Sequence, residues 1–438
     1  MPGNTRTVAA LTLGCRLNQA DTALIFDRLG KAGFSVVKPE HPGGVDVMIV
    51  NTCTVTGTAA QKSRQAVRKF RRSHPDCCIV VTGCSAGIEN SMWHDEPAVD
   101  LLLPNTEKKH IAEHLARYFK EHRPLLFDSV AQEWEQVFSE QASGSFPFKS
   151  RALLKVQEGC NSFCSYCIVP YARGRERSRD WREIIDEFKS MLDNGYREIV
   201  ITGVNVSTYN HQGRKLPELL HALLSINGDY RIRLSSTEPH PDNRALLDLI
   251  ADNDKVCRFL HLSVQHGTDE ILTAMNRHYT IAEFSAFVAE ARSRIPNIHI
   301  GTDIITGFPG ETDQLFEETC DFARRMHFAN THIFTFSPRE GTPAATFPDQ
   351  IPADKAKQRH DELSRICSAS AQEYLRDQQG ATLPVLFERR LKSGELSGWS
   401  DNYVKVLCKD KSLSPNSLAK VYVESCVSPD AVMGKVVI

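Results

Sequence analysis

A repeated alternation constrains this chain more than any other feature: short, nearly continuous apolar runs, each followed by an amphipathic stretch. In the first third, the runs VAALTLG (8–14), VDVMIVN (45–51) and CIVVTG (78–83) alternate with helical stretches over 18–32 and 59–72. Six more runs follow: ALLKVQEG (152–159), EIVITGV (198–204), RIRLSS (231–236), FLHLSV (259–264), IHIGTDI (298–304) and THIFTFS (331–337), again with helical segments between them. Strands this apolar are covered on both faces, and an intervening helix returns the chain to the same edge, so the pattern predicts parallel α/β sheets. Six consecutive units form an incomplete (β/α)6 barrel, whose functional side chains belong at the carboxyl ends of its strands.

Loop and helix signals divide the chain into three units. Residues 141–148 (QASGSFPF) lack periodicity and read as a linker, and a long helix over 352–379 precedes a tail broken by Gly394, Gly398 and Pro415. The expected units are an N-terminal parallel α/β domain (1–145), the partial barrel (146–372) and a small closed β-barrel (373–438). The composition, 41% hydrophobic and 24% charged, excludes disordered and collagen-like chains. With 52 basic and 54 acidic residues, a nucleic acid would be held by a local basic patch. No apolar run reaches the roughly 18–20 residues that cross a bilayer, and no signal peptide is read at the N-terminus. The expected compartment is cytoplasmic and reducing, where thirteen cysteines point to metal binding or catalysis rather than to disulfides.

The strongest motif is Cys160-Asn-Ser-Phe-Cys164-Ser-Tyr-Cys167, directly after the first expected barrel strand. Three thiolates this close suit three corners of an iron–sulfur cube and leave one iron open, whereas structural zinc normally closes its shell with a fourth protein ligand. Cys15, Cys53 and Cys84 each follow an apolar strand. In a parallel sheet those ends share one edge, so the fold would gather these three thiolates, with three separately buried cysteines as the alternative. Cys77, Cys78, Cys257, Cys320, Cys367 and Cys408 read as packing residues.

The triplet after a first barrel strand resembles the signature of radical S-adenosylmethionine enzymes. Its setting, LLKVQEGCNSFCSYCIVPYARGRERSR (153–179), is similar to the methylthiotransferases, and within them to the subgroup acting on N6-threonylcarbamoyladenosine in tRNA. That resemblance implies two [4Fe-4S] clusters, one on Cys160, Cys164 and Cys167 that binds S-adenosylmethionine, and one on Cys15, Cys53 and Cys84 that presents sulfur. It also implies cofactor or substrate contacts at Tyr166, Gly203, Asn205, Ser235, Glu238, Gln265 and Asp303, with ordinary structural hydrogen bonding as the alternative at each. The implied reaction cleaves S-adenosylmethionine to a 5′-deoxyadenosyl radical, which attacks an adenine C–H that acid–base catalysis cannot activate. No single catalytic side chain is implied.

The implied partners are tRNA, through an anticodon-loop adenosine, and a low-potential electron donor such as flavodoxin or ferredoxin. Two basic stretches, QKSRQAVRKFRR (61–72) and Arg173, Arg175, Arg177 and Arg179, could neutralise phosphates. In the tail, Leu396-Ser-Gly-Trp and Asn402-Tyr403-Val404 resemble parts of the RNA-binding TRAM barrel. Competing readings are the same chemistry on isopentenyladenosine in tRNA or on a ribosomal protein, and a non-catalytic iron–sulfur RNA-binding sensor. Two three-cysteine sets argue against the sensor, since an electron carrier usually closes each cluster with four ligands.

Overall fold

The computed structural model describes residues 5–55, 57–128, 137–140, 142–147, 149–238 and 243–437. The ends of the expected linker, residues 141 and 148, lie outside that set. In the N-terminal part, strands Thr7–Thr12, Val47–Thr52 and Cys78–Gly83 are consecutive neighbours in a six-stranded, all-parallel sheet. Side chains alternate between its faces. Val8, Ile49 and Val80 pack on one side, Ala9, Val50 and Val81 on the other, and both sides are buried. This double burial is why the strands read as unbroken apolar runs.

All six expected barrel strands form, as Ala152–Lys155, Glu198–Thr202, Arg231–Leu234, Phe259–Leu262, His299–Thr306 and Asn330–Thr335. They run parallel in chain order but in two arcs, because the third strand breaks after Leu234 and resumes as Ser236–Thr237 to pair with the fourth. The chain is therefore α/β with a partial (β/α)6 barrel, as expected. The tail closes into a five-stranded barrel spanning Thr382 to Val436. Helix Ala353–Arg376 joins the two and runs across residues 372 and 373. No helix among the described residues is long and apolar enough to cross a membrane.

Buried arginines bolt the tail barrel beneath the large one. Arg231 donates to the carbonyls of Pro384 and Trp399, both at 2.8 Å, and Arg233 to those of Asp401 (2.8 Å) and Ser400 (2.9 Å). Both guanidiniums also hold Glu198, at 2.7 Å each. Burial alone would raise the Glu198 carboxyl, but Arg233 and Arg231 outweigh it and hold it below the usual carboxylate range. Its contribution is therefore complete above the unfolded-chain pKa of about 4.3 and fades as pH falls from there through the folded value. Glu198→Gln should cost about 3–5 kcal/mol at neutral pH by leaving buried charge unbalanced. Denaturant unfolding at pH 7 checks this, and the gap to the unaltered protein should narrow in acid.

Candidate active site

Each cysteine of the dispersed set sits just beyond the carboxyl end of one of three adjacent strands. Cys53 follows Thr52 directly, Cys84 follows Gly83 directly, and Cys15 lies three residues past Thr12. The turn that carries Cys15 abuts Cys53 so closely that a methyl group on Gly14 would lie 3.0 Å from the Cys53 Cβ. Gly83 is held tighter still. Its φ is +96°, and a Cβ there would meet the Thr52 carbonyl oxygen at 2.4 Å, so only glycine can turn the chain here and deliver Cys84. Burial, reinforced by the neighbouring Cys84 and Cys15, pushes the Cys53 thiol up to about 11. Cys84 is raised by burial too.

The compact set occupies the loop after the first barrel strand. That loop is clamped by the segment following the fourth strand. The Ser165 N–H donates to the Met275 carbonyl (3.0 Å), Ser165 Oγ to that of Ala274 (2.7 Å), and Asn276 Nδ2 to those of Ser162 (3.0 Å) and Phe163 (3.1 Å). Arg277 Nη1 donates to Cys164 Sγ at 3.5 Å and to Glu238 at 2.8 Å. Burial and the adjacent Cys164 push Cys167 up to about 12. Burial thus raises Cys53 and Cys84 in one set and Cys160 and Cys167 in the other, and a metal that binds such thiols displaces their protons. Soft sulfur donors in threes fit iron–sulfur clusters and leave a coordination position open on each.

The two sets adjoin. Helix Val169–Arg173, about 7.5 Å long, starts two residues after Cys167 and packs on helix Cys84–Ile88. Its last residue, Arg173, donates from Nε to Cys84 Sγ at 3.2 Å. Beyond Cys53, Arg339 from the segment after the sixth barrel strand donates to Thr54 Oγ1 at 2.6 Å and pairs with Glu89. The carboxyl edges of the N-terminal sheet and of the barrel thus border one region.

A model of the Radical SAM superfamily matches residues 154–323, and one described as Uncharacterized protein family UPF0004 matches residues 7–104. The Threonylcarbamoyladenosine tRNA methylthiotransferase MtaB of Thermotoga maritima is 36% identical over 439 residues, covering 98% of this chain and 99% of the relative. Its namesake in Bacillus subtilis is 34% identical, covering 95% and 93%. The chain belongs to the radical S-adenosylmethionine tRNA methylthiotransferases. A tRNA-2-methylthio-N(6)-dimethylallyladenosine synthase from Carboxydothermus hydrogenoformans is also 34% identical, over 88% of each chain. The fold resembles that of the radical S-adenosylmethionine methyltransferase TsrM from Kitasatospora setae, with a TM-score of 0.58 and 16% identity over 78% of this chain and 74% of that one.

This methylthiotransferase uses S-adenosylmethionine and [4Fe-4S] clusters and acts on tRNA. The hydroxyls of Thr202 and Ser235, at the ends of adjacent barrel strands, are buried without a hydrogen-bond partner, as polar groups reserved for a ligand would be. Glu238 faces Arg277 beside the compact set, and Tyr166 packs among Ile271, Met275 and Phe308. Gln265 sits in the left-handed region, φ +73°, with its N–H on the Asp303 carbonyl. That strain is of a kind that clusters at functional sites. Other expected contacts have visible structural partners. The close approach at Gly203 is to Gln157, whose Oε1 accepts from the Val204 and Asn205 N–H groups, while Asn205 Oδ1 caps a short 3-10 turn. Asp303 lies mid-strand, holding Ser263 Oγ (2.6 Å) and His261 Nε2 (3.0 Å), with His332 in register beside it.

The second basic stretch is corrected by the structure. Arg173 and Arg179 are fully buried, Arg177 turns to Glu158, and only Arg175 of the four is exposed, stacked on Phe163. In the first stretch, Arg68 and Arg71 pair with Glu96 and Asp100, while Lys62, Lys69 and Arg72 face solvent. Sequence reasoning missed Arg277, His261 and His332, because nothing local marks them.

Gly83→Ala should displace Cys84 and leave the compact set untouched. Anaerobically reconstituted protein of unchanged circular dichroism should carry about half the normal iron, and full iron content would contradict the placement of Cys84.

Proposed function

We propose that this enzyme adds a methylthio group to C2 of N6-threonylcarbamoyladenosine at position 37 of tRNA. Two adjoining three-cysteine sets at the carboxyl edges of parallel sheets carry this reading. Cys160, Cys164 and Cys167 would hold one [4Fe-4S] cluster, and Cys15, Cys53 and Cys84 the other. When bound, the clusters and S-adenosylmethionine supply the electron transfer, radical formation and sulfur delivery that side chains cannot.

The chain's own task is to seat, orient and shield. Arg277 and Glu238 fix the rim of the compact set, and Ser235, with its unpartnered hydroxyl, is the contact this reading assigns most directly to the cofactor. Tyr166, Gln265, Asp303, Gly203 and Asn205 would line or brace the same site. Residues 1–145, 146–372 and 373–438 would divide the work into sulfur delivery, radical formation and RNA holding. Lys62, Lys69 and Arg72 offer exposed charge for phosphates. A cytoplasmic flavodoxin or ferredoxin would supply the electron.

The substrate assignment is supported by the threonylcarbamoyladenosine relatives, which span 95% and 98% of the chain. The dimethylallyladenosine relative spans 88%. Nucleoside mass spectrometry of total tRNA from cells lacking the protein should show loss of 2-methylthio-N6-threonylcarbamoyladenosine, and restoring the gene should bring it back. An unchanged level of that nucleoside would refute the assignment and turn attention to isopentenyladenosine or a ribosomal protein.

A further inference from the structure

Arg173 stands out among the buried charges because it touches a sulfur. It is 2% exposed, and each arm of its guanidinium is engaged. Nε donates to Cys84 Sγ (3.2 Å), Nη1 to Glu158 (2.9 Å), and Nη2 to Asn18 Oδ1 and Asp21 Oδ2 (3.1 Å each). Only a planar fork satisfies four partners in such different directions. Glu158 and Asp21 are themselves tied to Lys155, at 2.5 and 3.1 Å, and to Lys108, at 3.9 and 2.9 Å. The guanidinium is therefore fixed before any metal arrives.

We infer that Arg173 is a positioning residue that sets the reduction potential of the cluster held by Cys15, Cys53 and Cys84; the inference rests on the ligand assignment proposed above. A cluster core on three thiolates is anionic, and taking one electron adds a further negative charge without making or breaking a bond in the protein. A buried cation with an N–H on a ligand sulfur favours the reduced form and moves the midpoint to more positive potential. The same bond fixes where Cys84 Sγ lies. Arg173 also sits six residues beyond Cys167, so the loop of the compact set and the environment of the dispersed set are mechanically one piece. Arg277 is the comparison within the molecule. It reaches Cys164 from a longer 3.5 Å and pairs with Glu238 at 2.8 Å, whereas the two carboxylates on Arg173 are shared with Lys155 and Lys108.

The test is a potentiometric titration of the anaerobically reconstituted holoenzyme with dithionite, followed by electron paramagnetic resonance. The signal that Cys15→Ala removes identifies the cluster in question. In Arg173→Gln the midpoint of that signal should move to more negative potential while the other signal stays in place, and the altered cluster should hold its iron against a chelator about 10-fold less tightly. Arg173→Lys, which keeps the charge and loses the fork, should shift the midpoint in the same direction by less. If Arg173→Gln does not fold, the lysine variant carries the test. A midpoint at the unaltered value in the folded variants overturns the inference. If Cys15→Ala loses neither iron nor signal, the ligand assignment fails first and the inference falls with it, an outcome distinct from an intact assignment with an unmoved midpoint.

Discussion

Everything about the site depends on a buried knot of charge between the N-terminal sheet and the barrel. Asp21 on the first helix, Lys155 on the first barrel strand, Glu158 just beyond it, Lys108, Glu140 and Arg173 meet buried from solvent. Burial alone would raise the Asp21 carboxyl, yet Lys108, Lys155 and Arg173 outweigh it and hold it well below the usual carboxylate range. Such a knot costs about as much to desolvate as it returns in attraction, so apolar packing of the same volume would stabilise the interface equally well. What apolar packing would not do is fix the relative placement of two sheet edges. Asp21 and Glu158 each meet Lys108 from one side and Lys155 and Arg173 from the other, and a slip of one sheet against the other would leave buried charges unmatched.

That placement decides what chemistry is possible. Thiols spread over 70 residues of the N-terminal part, from Cys15 to Cys84, and thiols spaced over eight residues of a loop end up bordering the same region. Neither set is complete by the standard of a closed metal site, and both are lined by cations that reach sulfur. The parallel topology makes this available, because it collects the carboxyl ends of many strands along one rim. The protein contributes geometry and charge, and leaves bond breaking to the groups it holds.

Much of this was legible in the sequence. The strand positions were, because burial on both faces leaves a run that no helix or exposed strand would show. The cysteines were, because residues directly after such runs must fall on one edge. The arginines after the compact set were not. Arg173 and Arg179 stand in a basic string that reads like a phosphate-binding surface, and nothing local reveals that their partners, Asp21 and Glu187, lie on helices that pack over them. The glycine at 203 was legible as an implied contact but not as a close approach to Gln157, since that neighbour comes from the segment beyond an adjacent strand. His261, Asp303 and His332 face one another only through the register of three strands, which a single sequence does not encode visibly.

The tail reaches further inward than its size suggests. Tyr403, held in the left-handed region at φ +58°, lies against Phe259 and His299 at ring distances of 5.0 and 5.6 Å and accepts from Arg16 Nη2 at 3.3 Å. Arg16 is the residue after Cys15. The small barrel therefore packs under the large one, with the carbonyls of Pro384, Trp399, Ser400 and Asp401 on the arginines of the latter's third strand. A chain cut short at residue 372 would lose more than a peripheral module. It would leave Arg231 and Arg233, the partners of Glu198, without the carbonyls that satisfy them, and Arg16, beside Cys15, without the Tyr403 hydroxyl.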